Sequence, residues 1–184
     1  MEHPTAVALE AGLDEVRRSP TDRGRVDRIV RRPAENEREA VVEGRLDRAE
    51  GLAGDTWRAR PSSMTTDGSP HPDMQLTVMN SRVAALVAGQ ADRWQLAGDQ
   101  LYVDLDLSEA NLPPGTRLAL GSAVIEISAQ PHRGCKKFAE RFGQDALRFV
   151  NAVAGRTLRL RGMNAKIVVA GTVRVGDEIR KLPA

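Results

Sequence analysis

Apolar residues recur with two different periods along this chain, and the change from one to the other marks out its elements. Between Thr5 and Ser19, Ala6, Leu9, Leu13 and Val16 are spaced by three and four, which predicts a short amphipathic helix. Its apolar stripe is thin, so this helix is expected to dock on a larger body. "GRVDRIVRRP" reads as a strand ended by Pro33, and "REAVVEGRLD" as another, whose acidic content also permits a helical turn. From Gly51 to Asp73 the periodicity disappears, and prolines, glycines and serines predict a long loop. Loops of that length in compact domains are usually functional or disordered. "MQLTVMN" then reads as a strand, with Asn80 or Ser81 capping a short helix, "RVAALVAG", that stops near Gly89.

The second half is dominated by period two. In "LYVDLDL" Leu101, Val103, Leu105 and Leu107 share one face, and Tyr102, Asp104 and Asp106 share the other. "NLPPGTRLAL" turns at Pro113-Pro114-Gly115 and re-enters as a strand. "SAVIEIS", "TLRLRG", "AKIVVA" and "TVRVGDEI" continue the pattern, separated by Gly-rich or Pro-containing turns. Short strands at this spacing predict a mainly β fold, a barrel or sandwich rather than βαβ units. One helical interval interrupts them, "CKKFAERFGQDALRFVNAV", which holds all three Phe residues of the chain. Gly143 is expected to divide it into two helices, and Phe138 and Phe142, four apart, to share a face packed in the core.

Composition narrows the function classes. The chain has 184 residues, 41% hydrophobic and 28% charged, as expected of one soluble domain with an ordered arm. The expected division is an arm over 1–23 and a single barrel domain over 24–184. A net charge of +2 and the lack of a basic stripe interleaved with aromatics argue against nucleic acid. No apolar run reaches the roughly 18 residues of a membrane span, and the N-terminus lacks an apolar signal-peptide centre. With a single unpaired cysteine, the expected compartment is the cytoplasm.

That cysteine lies in "PHRGCKKF". Arginine far outnumbers lysine in this chain, yet two of its four lysines, Lys136 and Lys137, follow Cys135 directly. A thiol at a helix start gains from the positive end of the helix dipole, and neighbouring cations favour the thiolate. Such a thiolate can serve as nucleophile, redox group, sulfur carrier or soft metal ligand. The alternative is a small buried hydrophobe. His132 is three residues from Cys135, but structural zinc needs four ligands and only His3 and His71 remain as histidines.

"AGDQLYVDLDLSEANLPPGTRLALGSAVIEISAQPHRGCKKFAERFG", followed by "LRLRGMNAKIVVAGTVRVGDEI", resembles the MOSC domain, named for the C-terminal part of molybdenum cofactor sulfurases. The likeness rests on order and spacing. An Asn-Leu-Pro segment precedes a Gly-rich turn and strand, then come a Pro–x–x–x–Cys–x–Lys loop, an Arg-bearing strand pair and "GTVRVGD". "EGLAGDTW" resembles the family's early Gly-Asp turn. The resemblance spans about Gly24 to Lys181 and is strongest over the last half. It implies a strand-rich MOSC-like β-barrel with a few short helices, including the pair after the cysteine loop and the N-terminal one. It also implies an essential cysteine, which maps onto Cys135.

Two uses of that cysteine follow from the resemblance: ligating molybdenum in a bound pterin cofactor (molybdopterin), or carrying sulfur as a persulfide. The first would act in reduction of N-oxygenated substrates, with electrons from a separate donor protein. The second would act in sulfur transfer, with a cysteine desulfurase and a molybdoenzyme as partners. Pyridoxal phosphate is not expected in this chain. The cofactor's phosphate calls for cationic donors, and Arg133, Lys136, Arg141 and Arg161 are the candidates. Asn111 is a candidate for a pterin amide and Asp99 for the pocket wall. Asp55 and Asp177 are read as turn formers, and His71 as an exposed loop residue. "PHRGCKKF" stands where related reductases carry a "PC" step. The alternative function is a non-catalytic ligand-binding or interaction β-barrel.

Overall fold

The computed structural model describes residues 3–183, so positions 1, 2 and 184 of the expected arm and barrel lie outside the described residues. In chain order the elements are α1 (Ala6–Ala11), α2 (Leu13–Arg17), β1 (Arg23–Arg31), β2 (Glu39–Val41), β3 (Glu43–Asp47), β4 (Gly51–Leu52) and β5 (Leu76–Asn80). There follow α3 (Ser81–Ala88), β6 (Leu101–Asp104), β7 (Arg117–Leu120), β8 (Ala123–Ile127), α4 (Lys136–Phe142), α5 (Gln144–Asn151) and α6 (Val153–Thr157). The chain then runs through β9 (Met163–Val169), β10 (Gly171–Arg174) and β11 (Glu178–Lys181). Short 3₁₀ turns occupy Trp57–Ala59, Pro72–Met74 and Ala91–Ala97.

Seven strands close into a barrel in the order β1-β6-β5-β9-β8-β7-β11, and β11 returns to β1 through Arg23↔Arg180 and Arg25↔Glu178. Closure removes the free sheet edges that would otherwise have to be protected. β2 pairs with the far end of β1, and β10-β3-β4 form a small second sheet. All the barrel pairings are antiparallel except β5 with β6. That parallel pair requires a crossover, which α3 and the turn at Ala91–Ala97 supply. The barrel expected from the sequence is therefore present, with one βαβ-like step inside it.

Alternation sorts the strand residues between two cores. Ile29, Val78, Leu101 and Val103 point inward with Leu118, Ile125 and Ile167. Val30, Met79 and Tyr102 point outward, under the helices, with Leu9, Val83, Phe138, Phe142 and Val150. Tyr102 shares its face with Asp104 but is fully buried, because α3 and its following turn cover it; its hydroxyl donates to the Trp94 carbonyl at 2.7 Å. Asn80 caps α3, its side chain accepting from the N–H groups of Arg82 and Val83, and Gly89 ends it. Gly143, at φ 92°, separates α4 from α5 in a backbone region that favours glycine.

Two strand expectations are corrected. "TLRLRG" is the end of α6 followed by turns, with Arg159 at φ 49°. Leu160 is buried among the helices, and the Arg159 guanidinium donates to the carbonyls of Leu112 (2.7 Å) and Leu107 (3.4 Å). Those distant acceptors take the place of a strand partner. "TVRVGDEI" divides into β10 and β11 because the Asp177 carboxylate accepts from the Arg174 N–H at 2.7 Å and folds a turn between them. No described helix is long and apolar enough to cross a membrane.

Candidate functional site

The loop from β8 to α4 carries the cysteine, and two asparagines fix it. On β9, the fully buried Asn164 donates from Nδ2 to the carbonyls of Gln130 (3.2 Å) and Pro131 (3.3 Å). At the end of α5, Asn151 accepts from the Gly134 N–H at 2.9 Å and donates to its carbonyl at 3.0 Å. A Cβ at Gly134 would come within 2.8 Å of Leu147 Cδ1 and 3.0 Å of Val150 Cγ2. The glycine before Cys135 thus permits the loop to lie against α5. Phe138 and Phe142, with ring centroids 4.9 Å apart, hold α4 in the outer core.

Cys135 is the N-cap residue of α4 and is exposed. Its carbonyl accepts from the N–H groups of Phe138 and Ala139, while its side chain makes no capping bond. The adjacent lysines turn toward carboxylates: Lys136 stands 4.0 Å from Glu140, one helical turn on, and Lys137 3.2 Å from Glu35.

Behind this loop lies a buried polar node. Asp99, whose side chain is wholly enclosed, binds Arg161 at 2.6 Å through Oδ2 and faces His132 Nδ1 at 3.5 Å through Oδ1. Arg161 also donates to the Ala97 carbonyl at 2.8 Å and lies over the Phe138 ring, 5.0 Å from its centroid. Asp99 Oδ1 and His132 Nδ1 have no hydrogen-bond partner of good geometry. Burial, and next the charge of Arg161, push the His132 imidazole down to about 3, against the opposing effect of Asp99.

A cationic cleft of about 530 Å³ opens beside the node, lined by Arg38, Arg60, Lys137, Thr56, Asn36 and Glu35 among others. Arg38 and Arg141 converge over Gly98, and Arg32 donates to the Gly98 carbonyl at 3.1 Å. Burial, followed by the like charges of Arg141, Arg32 and Arg60, lowers Arg38 from its ordinary value. Guanidiniums gathered this way repel one another unless an anion joins them. Arg60 also lines a neighbouring cleft of about 260 Å³, with Arg32, Trp57, His71, Thr77, His132 and Asn164. A smaller cavity of about 110 Å³ lies on the other side of His132, walled by Arg133, Arg156, Arg159 and Arg161.

The residues expected from sequence are distributed unevenly over this site. Asp99 and Arg161 meet in the buried node, and Arg133 shares the small cavity with Arg161. Arg141 donates to the Leu96 carbonyl at 2.7 Å and stands beside Arg38. Lys136 is 92% exposed and turned to Glu140. Asn111 sits apart, donating to the carbonyls of Thr21 and Asp106 and accepting from Lys181. Asp55 forms a turn, as expected, and is also the buried partner of Arg32. His71 is half-buried in the wall of the 260 Å³ cleft, rather than exposed. Sequence reasoning missed Arg32, Arg38, Arg60, Trp57, Asn151 and Asn164. Of these only Trp57 carried a signal, an aromatic residue inside an otherwise polar loop.

The MOSC domain model matches residues 70–180. Among solved structures, the YuaD protein from Bacillus subtilis superposes with a TM-score of 0.65 at 14% identity, covering 86% of this chain and 95% of that one. YiiM from Escherichia coli superposes with a TM-score of 0.57 at 19% identity, covering 88% of this chain and 70% of that one. At those identities the structures show a shared fold. No curated protein sequence matches. With the family model covering more than half of its length, the chain belongs to the MOSC domain family.

Proposed function

We propose that this protein binds the molybdenum cofactor in the paired cationic clefts, with Cys135 giving its sulfur to the metal. Membership of the MOSC family supports a molybdenum-cofactor-related role in general terms. The observation that carries the finer reading is the gathering of Arg32, Arg38, Arg60 and Arg141 around clefts that flank the cysteine loop. Cys135 lies in sequence between His132, which walls one cleft, and Lys137, which walls the other.

The residues present fit such a group. Arg38 and Arg60 offer guanidinium forks to a phosphate, and the buried Arg38 Nε has no partner among the described residues. Trp57 gives the second cleft a flat aromatic wall, while His71, Thr77 and Asn164 supply polar groups at its border. The exposed Cys135 sulfur is a soft ligand suited to molybdenum. When bound, the cofactor supplies two-electron oxygen-atom chemistry, suited to reduction of N-oxygenated compounds with electrons from a separate donor protein. The chain's own part is to anchor the phosphate, orient the pterin and hold Cys135 on a loop pinned by Asn151 and Asn164.

The exposure of Cys135 supports a second use of the same sulfur. Its thiolate would attack the persulfide of a cysteine desulfurase, take the outer sulfur and release the desulfurase thiolate. A thiolate of the partner molybdoenzyme would then attack the outer sulfur of the Cys135 persulfide, taking it as a new persulfide and releasing the Cys135 thiolate.

Purification from a cofactor-competent host, with metal analysis and fluorescence detection of the oxidised pterin, tests the first use. Equimolar molybdenum that is lost in Cys135→Ala is expected. Wild-type protein without molybdenum or pterin, but gaining one sulfur by mass from a desulfurase and cysteine, turns the assignment to sulfur transfer. With neither, the barrel is a non-catalytic binding or interaction module.

A further inference from the structure

The 260 Å³ cleft is bordered by two imidazoles, His71 and His132, whose Nδ1 atoms meet different neighbours. His71 Nδ1 accepts a hydrogen bond from the Asp73 N–H at 3.2 Å. An accepting ring nitrogen carries no proton, so neutral His71 holds its proton on Nε2 and is a donor there. His132 stands differently. Its Nδ1 faces Asp99 Oδ1 at 3.5 Å, outside hydrogen-bond geometry, and both enclosed atoms lack a hydrogen-bond partner among the described residues. Asp99 pairs through its other oxygen with the Arg161 guanidinium at 2.6 Å, and its Oδ1 stands as the acceptor opposite His132.

Of the two tautomers, a proton on His132 Nδ1 sets an N–H toward the carboxylate oxygen where the other would oppose lone pair to lone pair, and it leaves a lone pair on Nε2. Unlike Nδ1, His132 Nε2 is not enclosed, and it makes no hydrogen bond to the described residues. The charged groups around this ring are Asp99, Arg161 and Arg32. The two cations oppose the addition of a second proton. Trp57 completes the cleft: its ring packs over Gly51, where a Cβ would meet it at 3.1 Å, and its indole N–H donates to the His71 carbonyl. That bond ties the flat wall to one of the imidazoles.

We infer that His71 and His132 form a donor–acceptor pair that reads an amide- or amidine-type edge, where an acceptor atom and an N–H or O–H stand side by side on a planar ligand. His71 gives its Nε2 proton to the ligand acceptor, and His132 Nε2 receives the ligand's donor. The pyrimidinone edge of a pterin and an N-hydroxyamidine both carry this pattern. Choosing between those two sources rests on the cofactor reading above, whereas the tautomers do not depend on it.

The test is ¹⁵N NMR of the histidine rings in the full chain, assigned with His71→Gln and His132→Gln. The tautomers expected are Nε2–H for His71 and Nδ1–H for His132. A His132 protonated on Nε2, or charged at pH 7, overturns the inference. Free pterin and benzamidoxime are then added separately to wild-type protein. At least one should shift both rings, and blocking its donors (3-methylpterin, or benzamidoxime methylated on oxygen and twice on the amino nitrogen) should weaken binding about tenfold, as losing one such bond implies. Pterin alone binding assigns the edge to the cofactor, and benzamidoxime alone assigns it to substrate. If neither moves the rings, or methylation has no effect, the pair does not read a ligand. Protein that shows the tautomers and binds a probe but never carries molybdenum removes the cofactor reading and leaves this inference standing.

Discussion

Arg32 and Asp55 meet fork to fork, Nε to Oδ2 and Nη2 to Oδ1, each at 2.8 Å, with Asp55 wholly enclosed and Arg32 nearly so. The same carboxylate accepts from the N–H groups of Arg32 and Trp57. One buried pair thus joins the end of β1 to the start of the loop that carries Trp57, and it holds Arg32 against Gly98 at the cationic cleft. Removing one partner leaves an uncompensated buried charge, at a cost of about 3–5 kcal/mol. Asp55→Ala is expected to lower unfolding free energy by that order in urea denaturation. An effect below about 1 kcal/mol would mean that water replaces the carboxylate.

Stability should fall with acidification through His132. Its folded-state value, about 3, lies below the 6.5 of an unconstrained imidazole. Between those values the unfolded chain binds a proton that the folded chain excludes, so folding weakens as pH drops from about 6.5 toward 3. Above about 6.5 this contribution is flat. His132→Gln, lacking the titrating ring, is expected to reduce the slope of unfolding free energy against pH in that window. An unchanged slope would falsify the assignment of a buried neutral ring.

The cysteine loop is predicted to depend on Asn151. Asn151→Ala removes both bonds to Gly134 and should cost about 1–2 kcal/mol, as loss of two hydrogen bonds to half-buried backbone groups does. The same change should speed alkylation of Cys135 by a neutral reagent and raise hydrogen exchange at Gly134. Gly134→Ala, whose Cβ would press on the tip of Leu147 and on Val150 Cγ2, should destabilise by about 1 kcal/mol through overpacking. Equal alkylation rates in wild type and Asn151→Ala would remove the asparagine from any positioning role.

Inorganic phosphate should raise the melting temperature at constant ionic strength, because anion binding to the arginine cluster favours the folded state. Arg38→Ala combined with Arg60→Ala should abolish that rise. The double variant need not be less stable without phosphate, since the change also relieves repulsion among Arg38, Arg32, Arg60 and Arg141. If phosphate stabilises the variant as much as wild type, the cleft is not where the anion binds.

Much of the fold was legible in the sequence because its cues are local. Leu101, Val103, Asn80 and Gly143 each announce a strand face, a cap or a break through near neighbours. "LRLRG" misled for the converse reason. Leu158 and Leu160 alternate like a strand, but the structure follows from distant partners: the carbonyls of Leu107 and Leu112 for Arg159, and Asp99 for Arg161. The site divides the same way. The cysteine loop could be read locally, whereas Arg32, Arg38 and Arg60 converge only once β1 and the loop after β4 are folded together. Lys136 and Lys137 looked like companions of the thiol because sequence proximity does not show that Glu140 and Glu35 compete for them.

The seam between β1 and β11 sets an order of events during synthesis. β1 emerges early and pairs with β6 along one edge, but one end of its other edge waits for residues 178–180. Until those arrive, hydrogen-bonding groups at Arg23–Arg25 stay available to any other strand, and the interior cannot shut out water. A nascent chain paused before β11 is accordingly the form most exposed to sticking to its neighbours, and chaperone demand should peak before residues 178–180 emerge.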